Sequence, residues 1–572
     1  MFVADFETST PEWIQKDGCS RVWAYAICEI GNENNFTFGN NLTTFMNWCE
    51  RQDNTKVFFH NLKFDGTFIL TWLFENGFTH ITEKRDIRDK TFMTLISDKG
   101  LFYNIKVYFS KKGKRVNTIT FQDSLKLLNM SVERIAKSFG LEISKLELDY
   151  NKYREVGHLL TQDEISYIKN DVQIVAKALN FLFNEGMTKM TTASNALNEY
   201  KTIISENNFN YWFPIPNYDK DVRQSYKGGF TYLNPKYANV DVGEGVVFDV
   251  NSLYPSVMYY EKLPYGEPIF FEGEYVYDDL YDFYIQSFTC QFELKKDHVP
   301  SIQLKHNPYF KATEYITSSN YKDVTMCLTS VDLKLFFEQY DVYNIVYHNG
   351  YKFKSSNKLF KAYIDKWSAA KIEAKENENW GLYALAKLML NSLYGKFATS
   401  PEVKSQIPRL EDGVIKFSTS ETEIKDPIYV PIASAITSYA RAKTIRSAQK
   451  IYDKFIYADT DSLHVELKHS EIDNFIKESG LDVSDTELGY WKLESVFKRA
   501  RFLRAKSYVE DELDPKTGEL HLKITCAGMP QSCYKHVTFD NFKIGEVYPG
   551  KLSHKNVKGG VILNEIEFTL RG

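Results

Sequence analysis

The chain has 572 residues, which is too long for one hydrophobic core, so it should fold into several domains. Its formal net charge is −5, and its shares of hydrophobic (43%) and charged (25%) residues are ordinary for a soluble protein. Its seven scattered cysteines contain no Cys-x-x-Cys pair, which argues against a zinc site and against a disulfide framework. No apolar run reaches the roughly 18 residues of a membrane span, and the acidic start of the chain does not fit a secretory signal peptide.

The chain opens on a short predicted strand that carries two acidic side chains. Asp5 and Glu7 are two residues apart, so they lie on the same face of that strand. A second apolar run, 57–59, leads into His-Asn-Leu-Lys-Phe-Asp-Gly at 60–66, which places Asp65 just after another strand. Three carboxylates therefore follow or belong to strands in the first 66 residues.

A helix is predicted to follow, and it carries a fourth carboxylate. Thr161 and Glu164 form a capping box that starts the helix, and apolar residues at helical spacing continue it. Tyr167 and Asp171 are four residues apart, hence neighbours on one helical face. With the three carboxylates upstream, Asp171 completes a quartet that could hold two metal ions, while the Tyr167 hydroxyl orients an attacking water.

A second acidic centre is predicted farther along the chain. One apolar run delivers Asp249, and another delivers Asp459 and Asp461 within Tyr-Ala-Asp-Thr-Asp-Ser. Residues i and i+2 of a strand share a face, so Asp459 and Asp461 are expected to point the same way. Such a cluster is costly without cations, and its hard oxygen ligands suit magnesium bound with substrate phosphates. The pattern indicates two-metal phosphoryl transfer and a nucleic-acid polymerase.

Between the two aspartate motifs, residues 381–397 are predicted to form one helix. Its apolar stripe consists of Leu382, Leu385, Met389 and Leu393. Lys387, Asn391 and Tyr394 fall on the other side, a face suited to a nucleoside triphosphate. We expect Lys387 to contact the phosphates, with Asn391 and Tyr394 near base and sugar. Lys371 is a second candidate phosphate contact.

A tyrosine close to the first aspartate is a candidate for sugar selection. Tyr254 lies five residues past Asp249, in Asp-Val-Asn-Ser-Leu-Tyr-Pro. A tyrosine ring packed under the sugar would leave no room for a 2′-hydroxyl. The motif therefore predicts a preference for deoxynucleotides.

Together these motifs resemble the family B DNA polymerases, and more narrowly the protein-primed polymerases of small tailed bacteriophages with linear genomes. The acidic quartet, with a tyrosine four positions before its last member, resembles the Asp-Glu-Asp-Asp 3′–5′ exonucleases. The resemblance covers essentially the whole chain. Its motifs are 60–66, 226–230, 249–255, 387–396, 457–462, 488–491, 506–508 and 526–529.

The resemblance implies an α/β multidomain fold, with a ribonuclease H-like exonuclease domain followed by a right-hand polymerase. Two insertions named after the terminal protein are also implied. The expected domains are exonuclease 1–189, first palm part 190–260, first insertion 261–358, fingers 359–397, second insertion 398–429, second palm part 430–529 and thumb 530–572.

The function implied is replication of a linear viral genome by protein-primed, strand-displacing synthesis with 3′–5′ proofreading. Two Mg²⁺ ions per site, replaceable by Mn²⁺, are implied, with Asp459 in a supporting role. The implied metal ligands are Asp249, Val250 and Asp461 in one site and Asp5, Glu7, Asp65 and Asp171 in the other. The implied partners are template and primer DNA, dNTPs and a terminal protein. A monomer without membrane contact, in the cytoplasm of an infected bacterium, is expected.

The resemblance also implies a set of DNA contacts, among which Lys506 and Tyr508 hold the primer strand. The turn 226–229 is implied to couple the two active sites through template contacts. The full set is Asn61, Phe64, Ser124, Leu125, Tyr226, Gly228, Gly229, Ser252, Thr460, Lys506 and Tyr508. The chain departs from the family pattern after Lys145, where the expected glycine is missing, so the role of this lysine stays open.

Three alternatives remain at this point. The first is a polymerase of the same fold that extends only nucleic-acid primers. The second is a processing nuclease with a degenerate polymerase half, against which the intact Asp249, Lys387 and Asp461 count. The third is a DNA-binding scaffold without activity, which gives no reason for two separate acidic clusters.

Overall fold

The structure is a computed structural model, and it describes residues 1–8, 18–112, 115–149, 152–305, 309–558 and 560–572. Its strands form two eight-stranded sheets, one four-stranded sheet and three two-stranded ribbons. Among the described residues, no helix combines the length and the apolar character needed to cross a membrane.

The first eight-stranded sheet forms the N-terminal domain. Its strands are β1 Phe2–Thr8, β2 Val22–Glu29, β3 Asn32–Gly39, β4 Thr55–Phe59, β5 Thr79–His80, β6 Thr91–Ile96, β7 Phe102–Lys112 and β8 Arg115–Asp123. They lie in the order β3-β2-β1-β4-β8-β7-β6-β5. Because β1, β4 and β8 are parallel neighbours, their carboxyl ends meet at one edge of the sheet.

Four helices accompany this sheet: α1 Leu42–Glu50, α2 Leu62–Glu75, α3 Val132–Ser138 and α4 Gln162–Asn184. The predicted capping box is present, since Thr161 and Glu164 exchange side-chain and main-chain hydrogen bonds at the start of α4. The predicted apolar stripe of α4 is largely buried against the sheet. This packing turns the Asp171 side of α4 toward the carboxyl ends of the central strands.

Helices α5 Thr192–Ile204, α6 Glu206–Trp212 and α7 Asp219–Val222 lead to β9 Thr231–Leu233, β10 Asp241–Val242, β11 Gly245–Val250 and α8 Leu253–Tyr260. The next unit has its own core, and its elements are β12 Leu263–Glu272, β13 Phe283–Leu294, β14 Val324–Thr329, α9 Ser330–Gln339 and β15 Tyr340–Ser356. Its sheet has the order β12-β15-β13-β14.

The single helix predicted over 381–397 is wrong in one respect, because the structure divides it. The three helices of this region are α10 Lys361–Glu376, α11 Trp380–Ser392 and α12 Tyr394–Phe397. The break falls at Leu393, which is fully buried. The next residue, Tyr394, stacks on the Tyr254 ring with centroids 4.0 Å apart, so the chain turns where these two side chains are fixed.

The following segment forms two small ribbons of strands, which the sequence did not predict. They are built from β16 Glu402–Val403, β17 Gln406–Glu411, β18 Val414–Thr419 and β19 Glu423–Ile424. β17 and β18 form a hairpin that turns at Asp412 and Gly413, both at positive φ.

The second eight-stranded sheet contains the strands expected to form the palm, and its order is β24-β23-β22-β11-β21-β20-β9, with β10 beside β22. The elements not yet named are α13 Val430–Lys450, β20 Phe455–Asp459, β21 Ser462–Glu466, α14 Ile472–Glu478, β22 Trp491–Arg504, β23 Ser507–Leu513 and β24 Leu520–Cys526. Helix α13 is buried along most of its length. The chain ends with α15 Gln531–Tyr534 and the hairpin β25 Val547–Val557 and β26 Gly560–Thr569.

Candidate active sites

The first candidate site lies where β20 and β21 meet β11 on the palm sheet. β20 ends at Asp459, and Thr460 then takes a left-handed φ of 63°, which starts a two-residue turn. Asp461 is therefore in the turn, and its predicted place on a strand face beside Asp459 is wrong. The main-chain carbonyl of Asp461 accepts a hydrogen bond from the Val250 amide at 2.8 Å, which holds the turn beside Asp249.

Asp249 and Asp461 line a cavity of about 330 Å³ together with Asp459 and Glu494. Burial and the charges of Asp461 and Glu494 raise the pKa of Asp249 to about 7, while Lys387 acts in the opposite direction. Burial also raises the pKa of Asp461. Closely spaced carboxylates with raised pKa values fit a site that cations neutralise. Glu494, which sequence reasoning missed, reaches the site from β22 across the sheet.

Asp459 is engaged differently from the other two aspartates. Its carboxylate accepts hydrogen bonds from the hydroxyls of Thr231 at 3.1 Å and Tyr457 at 3.3 Å. The Lys506 ammonium lies 3.2 Å away, and Tyr508 is buried next to Tyr457. Asp459 thus links the acidic site to the side of the palm that carries Lys506.

The turn at 226–229 lies against the catalytic turn. A Cβ atom added to Gly229 would come within 2.6 Å of the Thr460 hydroxyl, so glycine is required for this close approach. The carbonyls of Lys227 and Gly228 accept hydrogen bonds from Arg441 at 2.8 and 2.7 Å. Gly228 itself is exposed, and Tyr226 is half-buried.

Arg441 was missed by sequence reasoning because its partner is remote in the chain. In α13 it forms a buried salt bridge of 2.5 Å with Asp332 of α9, in the first predicted insertion. The arginine therefore connects that insertion to the turn beside the catalytic aspartates.

The helices α10 and α11 bring two predicted phosphate contacts close to the palm. Lys387 and Asn391 are exposed on α11, and Lys371 is half-buried on α10. Tyr394 and Tyr254 are stacked, so both predicted sugar and base contacts share one surface. Ser252 takes a left-handed φ of 57° at the start of α8 and leads from β11 into that surface.

The second candidate site lies at the carboxyl edge of the N-terminal sheet. Carboxylate oxygens of Asp5, Glu7 and Asp171 lie within 4.8 Å of one another. Burial and the neighbouring Asp171 raise the pKa of Asp5 to about 7. Burial and the charge of Asp5 raise the pKa values of Glu7 and Asp65 well above the usual range.

Within the described part of the chain, buried oxygens of this cluster lack protein partners, which suits the carboxylates to bound cations. One carboxylate oxygen of Asp65 and one of Asp171 are buried without a hydrogen-bond partner, which is costly unless a ligand contacts them. Burial raises the pKa of Asp171, while Lys145 and a hydrogen bond from the Tyr167 hydroxyl partly oppose that rise. Lys145, whose role the sequence left open, lies 3.2 Å from Asp171 and so belongs to this site.

The four predicted single-strand contacts of this domain differ in exposure. Asn61 is exposed, and Phe64 and Leu125 are half-buried. Ser124 is fully buried, and its hydroxyl donates to the Phe59 carbonyl at 3.1 Å. Its side chain therefore holds the loop in place and does not face solvent, and the expected contact of Ser124 with DNA stays a prediction. Sequence reasoning missed Asp123. Its carboxylate accepts hydrogen bonds from the main-chain amides of Asn61 at 3.1 Å and Leu125 at 3.0 Å.

Comparison with known proteins gives strong matches over the whole chain. The family described as DNA polymerase type B, organellar and viral, matches residues 47–162 and 147–479. The DNA polymerase of Bacillus phage M2 is 45% identical over 100% of this chain and 99% of its own length. The DNA polymerase of Bacillus phage phi29 is 44% identical with the same coverage.

Solved structures agree with these matches. The phi29 DNA polymerase complexed with primer-template DNA has a TM-score of 0.91 and 42% identity, with 100% of both chains covered. The same enzyme with primer-template DNA and incoming nucleotides has a TM-score of 0.90 at equal coverage. The expected α/β multidomain fold with palm, fingers and thumb is thereby confirmed.

Proposed function

The chain belongs to the organellar and viral type B DNA polymerases and is a DNA-directed DNA polymerase, and we propose that its two acidic sites divide synthesis and 3′–5′ degradation between them. The observation that carries the proposal is the presence of two separate carboxylate clusters with raised pKa values. The palm cluster lies on one sheet, and the other lies at the edge of the N-terminal sheet with Asp65 on α2 and Asp171 on α4, so each can act while the other is removed.

In the palm, Asp249 and Asp461 would hold two divalent ions, Mg²⁺ or Mn²⁺, together with the main-chain carbonyl of Val250. Such ions, when bound, stabilise negative charge on the oxygens of a transferred phosphoryl group. The residues around them position the reactants. Lys506 holds the primer strand at the Asp459 side, and Lys387 binds the triphosphate of the incoming dNTP from the fingers.

In the N-terminal domain, Asp5, Glu7, Asp65 and Asp171 would hold the ions of the exonuclease. Tyr167 donates a hydrogen bond at Asp171 and orients the attacking water. Lys145 offsets part of the negative charge of the cluster. Asn61, Phe64 and Leu125 receive the frayed primer end at the edge of the sheet.

The partners that we propose are primer-template DNA and dNTPs, which the solved phi29 complexes contain. The stacked Tyr254 and Tyr394 rings support a binding surface for the nucleotide sugar and base, and Tyr254 would exclude the 2′-hydroxyl. The turn 226–229 would contact the template, because it lies directly against Thr460 of the catalytic turn.

We also propose that a terminal protein primes synthesis and that the enzyme acts as a monomer. The support is the full-length similarity to polymerases of Bacillus phages, including phi29. The test is incubation with a candidate terminal protein, labelled dATP and Mg²⁺ or Mn²⁺. A covalent protein–nucleotide product is expected. If only nucleic-acid primers are extended, the alternative of a nucleic-acid-primed polymerase holds instead.

The hairpin of β17 and β18 supports a further proposal, strand displacement without a helicase. At its base, the Asp98 amide donates to the Lys404 carbonyl at 3.1 Å, which ties it to the exonuclease domain. Near its tip, the side-chain amide of Asn556 in the thumb donates a hydrogen bond to the main-chain carbonyl of Ile415 at 2.8 Å. The exonuclease domain, the hairpin and the thumb are thus joined by continuous contacts. We propose that the template strand passes through the opening that they border, which separates it from the displaced strand.

Excision of about residues 400–425, joined by a short flexible linker, is expected to separate gap filling from displacement. Extension on primed single strands should stay near the parental rate, because no residue of the palm site is removed. Synthesis through a downstream duplex, and product length under a competitor trap, should fall sharply. Degradation of single strands serves as the folding control. Displacement at the parental rate by the folded variant would refute the proposed role of the hairpin.

A further inference from the structure

A row of side chains crosses the open face of the palm sheet at the level of the catalytic aspartates. Directly opposite residues of antiparallel strands place their side chains on the same face. The register pairs Lys492 with Asp249, Asp249 with Ser462, Ser462 with Asp459, and Asp459 with Thr231. Lys492 on β22 therefore stands at one end of this row, directly beside Asp249.

Burial confirms which face Lys492 occupies. Its neighbour Trp491 and the opposite residue Val250 are each 1% exposed and belong to the main core. Lys492 itself is exposed, as expected for the other face of the strand. The lysine consequently projects from the palm on the side where the catalytic aspartates lie.

The two ends of the row face different parts of the molecule. At the Asp459 end, Lys506 lies 3.2 Å from the carboxylate, on the side proposed for the primer. At the opposite end, Lys492 approaches the fingers. Burial lowers the pKa of Lys371, and the positive charges of Lys387, Lys375 and Lys492 add to that effect, so Lys371, Lys387 and Lys492 share one region with Lys375 at its side.

These three lysines have no salt bridge to a carboxylate in the described part of the chain. Gathering like charges from three separate elements, α10, α11 and β22, costs free energy unless an anion binds among them. A triphosphate carries several negative charges and accepts hydrogen bonds. The lysine ammonium group, a compact point charge with three N–H donors, is suited to bind it.

We propose that Lys492 binds the phosphates of the incoming nucleoside triphosphate from the palm, opposite Lys371 and Lys387 of the fingers. The same contact holds the pyrophosphate product before it leaves. This inference rests on the proposed nucleotide site. It adds a palm residue that links the nucleotide to the strand beside Asp249, so the triphosphate is held from both sides.

The test compares Lys492→Ala and Lys492→Arg with Lys498→Ala, a matched control on the same strand. Lys498 pairs with Glu244 at 2.7 Å, at the far end of the β11–β22 register, so its loss removes an equal charge away from the site. Steady-state incorporation of one dNTP gives KM and kcat, and inhibition by added pyrophosphate gives an independent measure of phosphate binding. Degradation of single strands checks folding.

Lys492→Ala is expected to raise the KM for dNTP about tenfold and to weaken pyrophosphate inhibition similarly, the loss of one charge-assisted contact. Lys492→Arg should restore most of both values, and Lys498→Ala should change neither. An unchanged KM and unchanged pyrophosphate inhibition in Lys492→Ala would overturn the inference. Lys387→Ala distinguishes failure of the whole proposed nucleotide site from failure of the Lys492 contact alone. If it too leaves KM unchanged, the proposed nucleotide site is wrong, whereas a raised KM there confines the failure to Lys492.

Discussion

Replacement of Asp249 by alanine should reduce nucleotide incorporation by about a thousandfold or more and leave degradation of single strands intact. Burial raises the pKa values of Asp249 and Asp461 in the palm cavity, and the charge of Asp461 adds to the rise at Asp249. With one carboxylate gone, the remaining aspartate cannot hold two divalent ions, so charge on the transferred phosphoryl group is no longer neutralised. The N-terminal cluster belongs to another sheet and loses no ligand.

The measurement pairs primer extension with degradation of a labelled single strand in the same preparations. Asp249→Asn keeps the shape of the side chain and should behave like the alanine variant. Asp453→Ala is the matched control, because this exposed aspartate precedes β20 and is not among the residues that line the acidic cavity. Equal loss of both activities in a folded Asp249 variant would refute the division into two sites.

The carboxylate clusters could be predicted from sequence because short-range rules place their members. Asp5 and Glu7 follow from the two-residue period of a strand, and Asp171 from the capping box and the helical period. The parallel arrangement of β1, β4 and β8 then brings these ends together, as a sheet of this class requires. Local pattern and global fold agree at this site.

Other features depend on contacts between residues far apart in the chain, which no local pattern reports. Arg441 and Asp332 are separated by 109 positions, yet their salt bridge positions the turn beside Thr460. Asp123 was missed for the same reason, because it acts on main-chain amides at Asn61. The prediction that Asp461 continues the strand was wrong for a local reason. The left-handed φ of Thr460 that starts the turn is uncommon for a threonine.

The hairpin 406–419 shows why a segment's own sequence does not always predict its secondary structure. Its strands alternate weakly between apolar and charged residues, and much of its stability comes from outside itself. Ile415 is buried in the core of the N-terminal domain, and its carbonyl accepts a hydrogen bond from the side-chain amide of Asn556 in β25. A segment stabilised by two other domains carries little signal of its own secondary structure, since a lone two-stranded hairpin is only marginally stable.

The double replacement Asp5→Ala with Glu7→Ala should abolish 3′–5′ degradation, by about a thousandfold or more, while primer extension continues. Two of the three carboxylates that lie within 4.8 Å of one another are removed, so the ions of that site lose half of their four proposed carboxylate ligands. A labelled single strand with Mg²⁺ measures the loss, and gap filling on a primed template is the control for folding.

The same double variant also tests cation binding without measuring catalysis. In the wild-type protein without divalent ions, burial and mutual repulsion make the ionised carboxylates unfavourable, as the raised pKa of Asp5 indicates. Their removal should therefore leave Tm in EDTA unchanged or higher. Added Mn²⁺ should raise the Tm of the wild type more than that of the variant, because a ligand that binds only the folded state stabilises it. An equal Mn²⁺-dependent rise in both proteins, or persistent degradation by the variant, would remove Asp5 and Glu7 from the metal site.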